Sequence, residues 1–129
     1  MPMAGHILLT GGAGFIGSAI ARRLVASGRR TIVIDKLTYA GRKENLEGVD
    51  VELVVGDVCD KTLIRELVDG ADAVIHAAAE SHVARSLDDG IPFIRTNIEG
   101  SRVVVQAAAD AKVPHCIHLS TDEVFGPAA

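Results

Sequence analysis

A short apolar run, Ile7-Leu8-Leu9, passes through Thr10 directly into Gly11-Gly12-Ala13-Gly14, and apolar residues then recur at helical spacing from Phe15 onward. Few folds accept a buried strand that turns on glycines straight into a helix. The spacing Gly12-x-Gly14-x-x-Gly17 assigns each glycine a task. The first can turn the chain sharply, the second can let backbone approach a diphosphate, and the third can let the helix pack close on the sheet. The first N–H groups of any helix have no partner within it, so the start of this one faces the turn as a ready anion site. A glycine-rich turn with no ligand satisfies the same three positions, and the pattern needs support from elsewhere in the chain.

The rest of the sequence alternates strand and helix. Residues 6–10 read as a strand and 15–27 as a helix, with Ile16, Ile20 and Leu24 stacked on one face and Gly28 as its stop. Thr31-Ile32-Val33-Ile34-Asp35 is β-branched and strand-like, followed by a polar loop or short helix through Asn45 and a third strand over 51–55. Asp60 can cap a helix that presents Leu63, Ile64, Leu67 and Val68 before Gly70, and residues 73–77 form a fourth strand. A longer helix is expected from about Ile91, with Pro92 in its first turn and Ile94, Ile98, Ser101, Val105 and Ala108 along one stripe. Residues 115–119 form the fifth strand. This order predicts an α/β fold: a doubly wound, Rossmann-like parallel sheet of about five strands with helices on both faces, whose ligands gather at the carboxyl ends of the strands. With no repeat or low-complexity tract, residues 1–129 are expected to form one unit.

Composition agrees with a sheet covered on both sides. The chain is 48% hydrophobic with no Trp, one Tyr and three Phe, so its core must be aliphatic. A net charge of −4, and no Lys/Arg run longer than the pairs Arg22-Arg23 or Arg29-Arg30, speak against nucleic-acid or membrane-surface partners. Cys59 and Cys116 lie far apart and fit no metal spacing, which suggests reduced thiols and a cytoplasmic setting. No leader-like or membrane-spanning apolar stretch is expected. The five histidines, His6, His76, His82, His115 and His118, show no ligand spacing with acids or cysteines, and no metal is expected.

Asp35 supplies the support that the glycines need. It ends the second strand roughly 20 residues past the turn, where a carboxylate accepts hydrogen bonds from an adenosine ribose and repels a 2′-phosphate, favouring NAD over NADP. Lys36 beside it would tolerate a phosphate and softens that preference. Asp57, just after the third strand, can cap the next turn or receive an adenine amino group.

Four segments carry a family likeness. Thr10-Gly11-Gly12-Ala13-Gly14-Phe15-Ile16-Gly17 resembles the turn of extended short-chain dehydrogenases/reductases. Asp35-Lys36-Leu37-Thr38-Tyr39-Ala40-Gly41 is similar to the ribose loop of the dTDP-glucose 4,6-dehydratase family, as is Ala78-Ala79-Glu80-Ser81-His82-Val83. Ser120-Thr121-Asp122-Glu123-Val124-Phe125-Gly126 resembles the end of that family's active-site strand, where epimerase relatives usually lack the Asp-Glu pair. The likeness departs at Ala84, where relatives usually carry Asp, and at Ala77, where they usually carry Leu.

The resemblance implies that Gly11, Gly12, Gly14, Phe15, Ile16, Gly17, Asp35, Lys36, Leu37, Thr38, Asp57, Val58, Ala77, Ala78, Ala79, Glu80, Ser81 and Thr96 line NAD. It places Ser81 and Thr121 against a nucleoside diphosphate-sugar, with Asp122 as acid and Glu123 as base. The implied reaction oxidises sugar C4, removes the acidified C5 proton, expels the C6 hydroxyl as water and returns hydride to C6. Two neighbouring carboxyl groups must then hold different protonation states. An ordinary helix start is the competing reading of Ser120-x-x-Glu123, which has the form of a capping box, although Gly126-Pro127 would cut that helix short. Relatives complete the site with Tyr-x-x-x-Lys on the following helix, and this chain is expected to stop before it and before the substrate-holding region. Tyr39-Ala40-Gly41-Arg42-Lys43 has the same spacing but follows the second strand, beside the expected ribose, and is a decoy. Alone the chain should bind NAD weakly and turn over nothing. Its exposed fifth-strand edge should favour a homo-oligomer or pairing with a carboxyl-terminal half. The alternatives are a sugar-nucleotide epimerase or decarboxylase fragment and a non-catalytic NAD-binding module.

Overall fold

The computed structural model describes residues 5–37, 41–78 and 95–119. Expectations for Thr38, Tyr39, Ala79, Glu80, Ser81, Thr121, Asp122 and Glu123 lie outside them, as do those for residues 91–94 and the side chain of Thr96.

Five strands, β1 (Ile7–Thr10), β2 (Thr31–Asp35), β3 (Glu52–Val55), β4 (Ala73–His76) and β5 (His115–His118), form one parallel sheet in the order β3-β2-β1-β4-β5. From β1 the chain steps outward one way to β2 and β3, then crosses back to β4 and continues to β5 on the other side. The direction reverses between β1 and β4, and the carboxyl ends of these two strands therefore border the crevice where doubly wound sheets take their ligands. Register is continuous across that seam, Ile7 opposite Ala73 and Thr10 opposite His76.

The strand alternation sorts the core into two layers. On one face Leu8, Ile32, Ile34 and Val74 pack against α2 (Lys61–Val68) and α3 (Ser101–Asp110), through Ile64, Val68, Val103, Val104, Ala107 and Ala108. On the other, Leu9 and Val33 pack with Ala13 and Ala21 of the turn and of α1 (Phe15–Ala26), and with Leu46 of a 3₁₀ turn, Lys43–Leu46. Burial on both faces explains why β1 and β2 are apolar at nearly every position. β5, at an edge, is exposed along its whole length.

Two expected helical faces are corrected. In α1 the buried residues are Gly17, Ser18 and Ala21, while Ile16 is 61% exposed. Close approach of the helix to the sheet selects small side chains there, and the larger Ile20 only borders the core. In the last helix, Ile98 and Val105 face outward and Val103, Val104, Ala107 and Ala108 face the core. A π-helical turn, Arg95–Gly100, precedes α3. Within α3 the face that meets the sheet and α2 is the neighbouring one, which is also apolar, so the outward stripe carries Ile98 and Val105.

The helix signals otherwise hold. Asp60 caps α2 by accepting the Leu63 N–H at 3.2 Å. Gly28 follows α1 with φ +79°, a left-handed conformation that suits glycine. Strands and helices expected to include His6, Ser27, Val51, Ala77 or Leu119 end one residue short of each.

Candidate functional site

The turn between β1 and α1 is shaped by three glycines with different constraints, and the sharp bend belongs to Gly11, not to Gly12 as the spacing suggested. Gly11 has φ +71°. Gly12 is a packing glycine, because a Cβ there would lie 2.5 Å from Val33 Cγ1 on β2. Gly17 sets the approach of α1, since a Cβ on it would collide with the Gly11 carbonyl oxygen. Gly14 is different. A Cβ there would meet only the Gly11 carbonyl oxygen, at 3.4 Å, so this glycine fronts open space.

Gly14 is also the N-cap of α1, with no side-chain cap and no acidic residue in the first turn. The first α-type bond from this end is Ser18 N–H to the Gly14 carbonyl at 2.9 Å. The N–H groups of the first helical residues thus point toward the turn, at the positive end of a 12-residue helix. Phe15, 90% exposed, and Ile16 stand beside this end.

Asp35, 8% exposed at the end of β2, reaches back under the turn. Its Oδ2 accepts the Ala13 N–H at 2.9 Å and its Oδ1 accepts the Leu37 N–H at 2.7 Å. A carboxylate has about four acceptor positions, and backbone N–H groups of the described residues use two of them. Leu37 is held at φ +56°, a strained region for a branched side chain that the bond to Asp35 offsets. The Ala13 carbonyl accepts from Arg42 N–H at 3.0 Å and from Asn45 Nδ2 at 2.8 Å. The Ala13 peptide is therefore gripped from both sides. Asn45 had no signal in the sequence beyond its place in a polar loop.

Lys36 turns to Asp57 across β2 and β3, Nζ to Oδ2 at 3.4 Å, while Asp57 Oδ1 accepts the Cys59 N–H at 2.9 Å. Burial by itself would raise the Asp57 carboxyl. The Cys59 bond and the Lys36 charge outweigh it and hold the group below its ordinary value. Of its two expected tasks, Asp57 performs the turn cap within the chain. Val58 is 5% exposed and belongs to the core, so only its backbone can face a ligand.

On the other side of the seam, Ala77 and Ala78 follow β4 and lie against the turn, where a Cβ on Gly11 would fall 2.7 Å from Ala78 Cα. Thr10 Oγ1 accepts the N–H groups of both alanines at 3.0 Å and pairs with His76 Nδ1 at 2.6 Å. His76 Nε2 meets Ser101 Oγ at 3.0 Å. Sequence reasoning named His76 only among the histidines that lack metal-ligand spacing. Its signal was positional: a polar residue that ends a buried strand, as Thr10 does. Among the described residues no group of three His, Cys, Asp or Glu side chains could hold a metal ion, and no helix is long and apolar enough to cross a membrane. Neither Cys59 nor Cys116 forms a disulfide, and burial raises the pKa of Cys116.

Strand order, switch point and glycine turn together define a Rossmann-like α/β domain. Over residues 7–129 the chain matches, and belongs to, the NAD dependent epimerase/dehydratase family. It is 43% identical to a dTDP-glucose 4,6-dehydratase of Streptomyces niveus over 94% of its length and 39% of the relative's. The solved structure of DesIV, a dTDP-glucose 4,6-dehydratase of Streptomyces venezuelae with NAD bound, superposes with a TM-score of 0.91 at 43% identity, covering 96% of this chain and 42% of that one. UDP-glucose 4-epimerase of Thermotoga maritima gives a TM-score of 0.88 at 31% identity, over 96% of this chain and 40% of that one. The chain thus spans about two-fifths of the length of the relatives it matches.

Proposed function

We propose that this chain binds NAD across the carboxyl ends of β1, β2 and β4, as the cofactor-binding part of an enzyme that dehydrates a nucleoside diphosphate-glucose. The substrate proposed first is dTDP-glucose, converted to the 4-keto-6-deoxy sugar. The observation that carries the cofactor reading is the Asp35 carboxylate, bonded to the Ala13 N–H beneath an uncapped helix start.

NAD, when bound, supplies a reversible hydride acceptor. The first N–H groups of α1 take the charge of the diphosphate, and open space at Gly14 lets backbone come close to it. Asp35 orients the adenosine ribose and disfavours a 2′-phosphate, while Asp57 draws the Lys36 cation aside. Gly11, Ala77 and Ala78 form the floor of the crevice, and the family resemblance adds Ala79, Glu80, Ser81 and Thr96 as NAD-lining residues. In this reading Ser81 and Thr121 hold the sugar nucleotide, Asp122 protonates the departing C6 hydroxyl and Glu123 removes the C5 proton. Dehydratase relatives at 43% identity support this assignment over an epimerase, as does the Asp122-Glu123 pair. The exposed edge of β5 supports pairing with a carboxyl-terminal half or with a second copy.

Calorimetric titration of the folded chain should show saturable NAD binding and weaker NADP binding, and no heat with either dinucleotide would overturn the reading. With a separately expressed carboxyl-terminal half and dTDP-glucose, the 4-keto-6-deoxy product is expected. Under the same conditions Asp122→Asn should still oxidise C4 but release no water. C4 inversion without water loss would favour the epimerase.

A further inference from the structure

Thr10 and His76 end β1 and β4, face each other in register at the switch point, and are both fully buried. The cofactor reading uses neither side chain.

The hydrogens of this cluster can be counted. Thr10 Oγ1 accepts from Ala78 N–H at 3.0 Å and from Ala77 N–H at 3.0 Å, the latter hydrogen shared with the Thr10 carbonyl oxygen at 3.1 Å, and a hydroxyl oxygen has two acceptor lone pairs. Both are then occupied. The one hydrogen left to the hydroxyl points at His76 Nδ1, 2.6 Å away, so that nitrogen carries no proton. The ring proton sits on Nε2, which donates to Ser101 Oγ at 3.0 Å. The opposite tautomer would set two hydrogens against each other between Thr10 and His76. Burial, aided by the neighbouring His118, keeps the imidazole neutral by lowering its pKa to about 4.

The arrangement determines where the two lips of the crevice meet. Ala78 lies beyond the end of β4 and is tied back to β1 by the Thr10 hydroxyl, and Gly11, the next residue after Thr10, touches Ala78. Were Nδ1 to lose its role as acceptor, the Thr10 hydrogen would compete with the two amides for the same space.

We propose that His76 is a positioning residue for the dinucleotide site: as a neutral Nε2–H imidazole it takes the Thr10 hydrogen bond and leaves both Thr10 lone pairs to hold Ala77 and Ala78 against the glycine turn. The inference rests on the NAD-binding reading above and adds a residue that touches no cofactor.

Two measurements test it. Long-range proton–nitrogen correlation spectra of the labelled chain should show His76 neutral and protonated on Nε2 from neutral to mildly acidic pH. An Nδ1–H signal overturns the proposal. In NAD calorimetry, His76→Phe keeps a ring but loses the acceptor, and should bind about five- to tenfold more weakly, the affinity equivalent of one hydrogen bond. His76→Asn, whose Oδ1 replaces Nδ1 as acceptor, should recover most of that loss, and Thr10→Ser should bind like the wild type. Unchanged affinity in a folded His76→Phe chain, or equal loss in folded His76→Phe and His76→Asn chains, refutes the positioning role and leaves the NAD reading standing. A wild type that takes up no NAD removes both.

Discussion

The carboxylate of Asp35 accepts the backbone N–H of Ala13 at 2.9 Å, joining the end of the second strand to the middle of the glycine turn across 22 positions of sequence. One side chain thereby sets the turn, and in the proposed reading it also orients the ribose. Asp35→Asn keeps one acceptor oxygen but loses the charge. NAD affinity should fall about tenfold, the equivalent of one charge-assisted hydrogen bond, and NADP should lose less. Parallel titrations with both dinucleotides check the ratio, and an equal loss for the two would contradict the ribose assignment.

Gly12 and Gly14 should separate stability from binding. Gly12→Ala pushes a methyl group into Val33, a stiff β-branched neighbour, and should destabilise the fold by about 1–3 kcal/mol. Gly14→Ala meets only the Gly11 carbonyl at 3.4 Å, so urea unfolding should barely change while NAD binding weakens. The reverse pattern would mean that Gly14 is structural.

Lys36 and Asp57 form a half-exposed pair at 3.4 Å, on the side of the site proposed for the adenosine. Exposed pairs contribute little to stability, so Asp57→Asn should hardly move the unfolding midpoint. It should release the Lys36 cation toward a 2′-phosphate and improve NADP binding relative to NAD by a few-fold, an effect that salt screens. An unchanged ratio at low salt would show that Lys36 does not reach that position.

His76 should make stability depend on pH. In the unfolded chain its imidazole takes up a proton near pH 6.5, whereas in the folded chain burial and the adjacent His118, with ring centroids 4.9 Å apart, delay this to about pH 4. Above pH 6.5 the contribution is whole. As pH falls from 6.5 toward 4 the unfolded chain binds a proton that the fold refuses, and stability should drop by roughly 3 kcal/mol in total. Urea unfolding across that range measures the slope, which His76→Asn should remove.

Much of the architecture was legible because local chemistry and tertiary demand coincide in it. Apolar β-branched runs, the Asp60 cap and Gly28 mark the elements within a residue or so. The helical faces were less legible. Ile16 carries a helical period yet faces outward, because tight packing of α1 on the sheet selects Gly17, Ser18 and Ala21 instead. In α3 two adjacent faces are apolar, and only packing on the sheet and α2 selects Val103, Val104, Ala107 and Ala108 over Val105. At the site, Asp35 was found from its distance to the glycines, whereas Asn45, His76 and Ser101 become visible only when separate strands and turns are brought together.

The sequence by itself determined the order of elements, the parallel sheet they must form and the two points, glycine turn and acidic strand end, between which a dinucleotide fits. These follow from near-neighbour physics: side-chain periodicity, caps and backbone freedom. Tertiary structure alone decided that Gly11 makes the bend while Gly12 packs, that Asp57 holds Lys36, and that Thr10 and His76 share one hydrogen atom. Each of those depends on strand order and register, which bring residues far apart in the chain within hydrogen-bond distance and which no local pattern encodes.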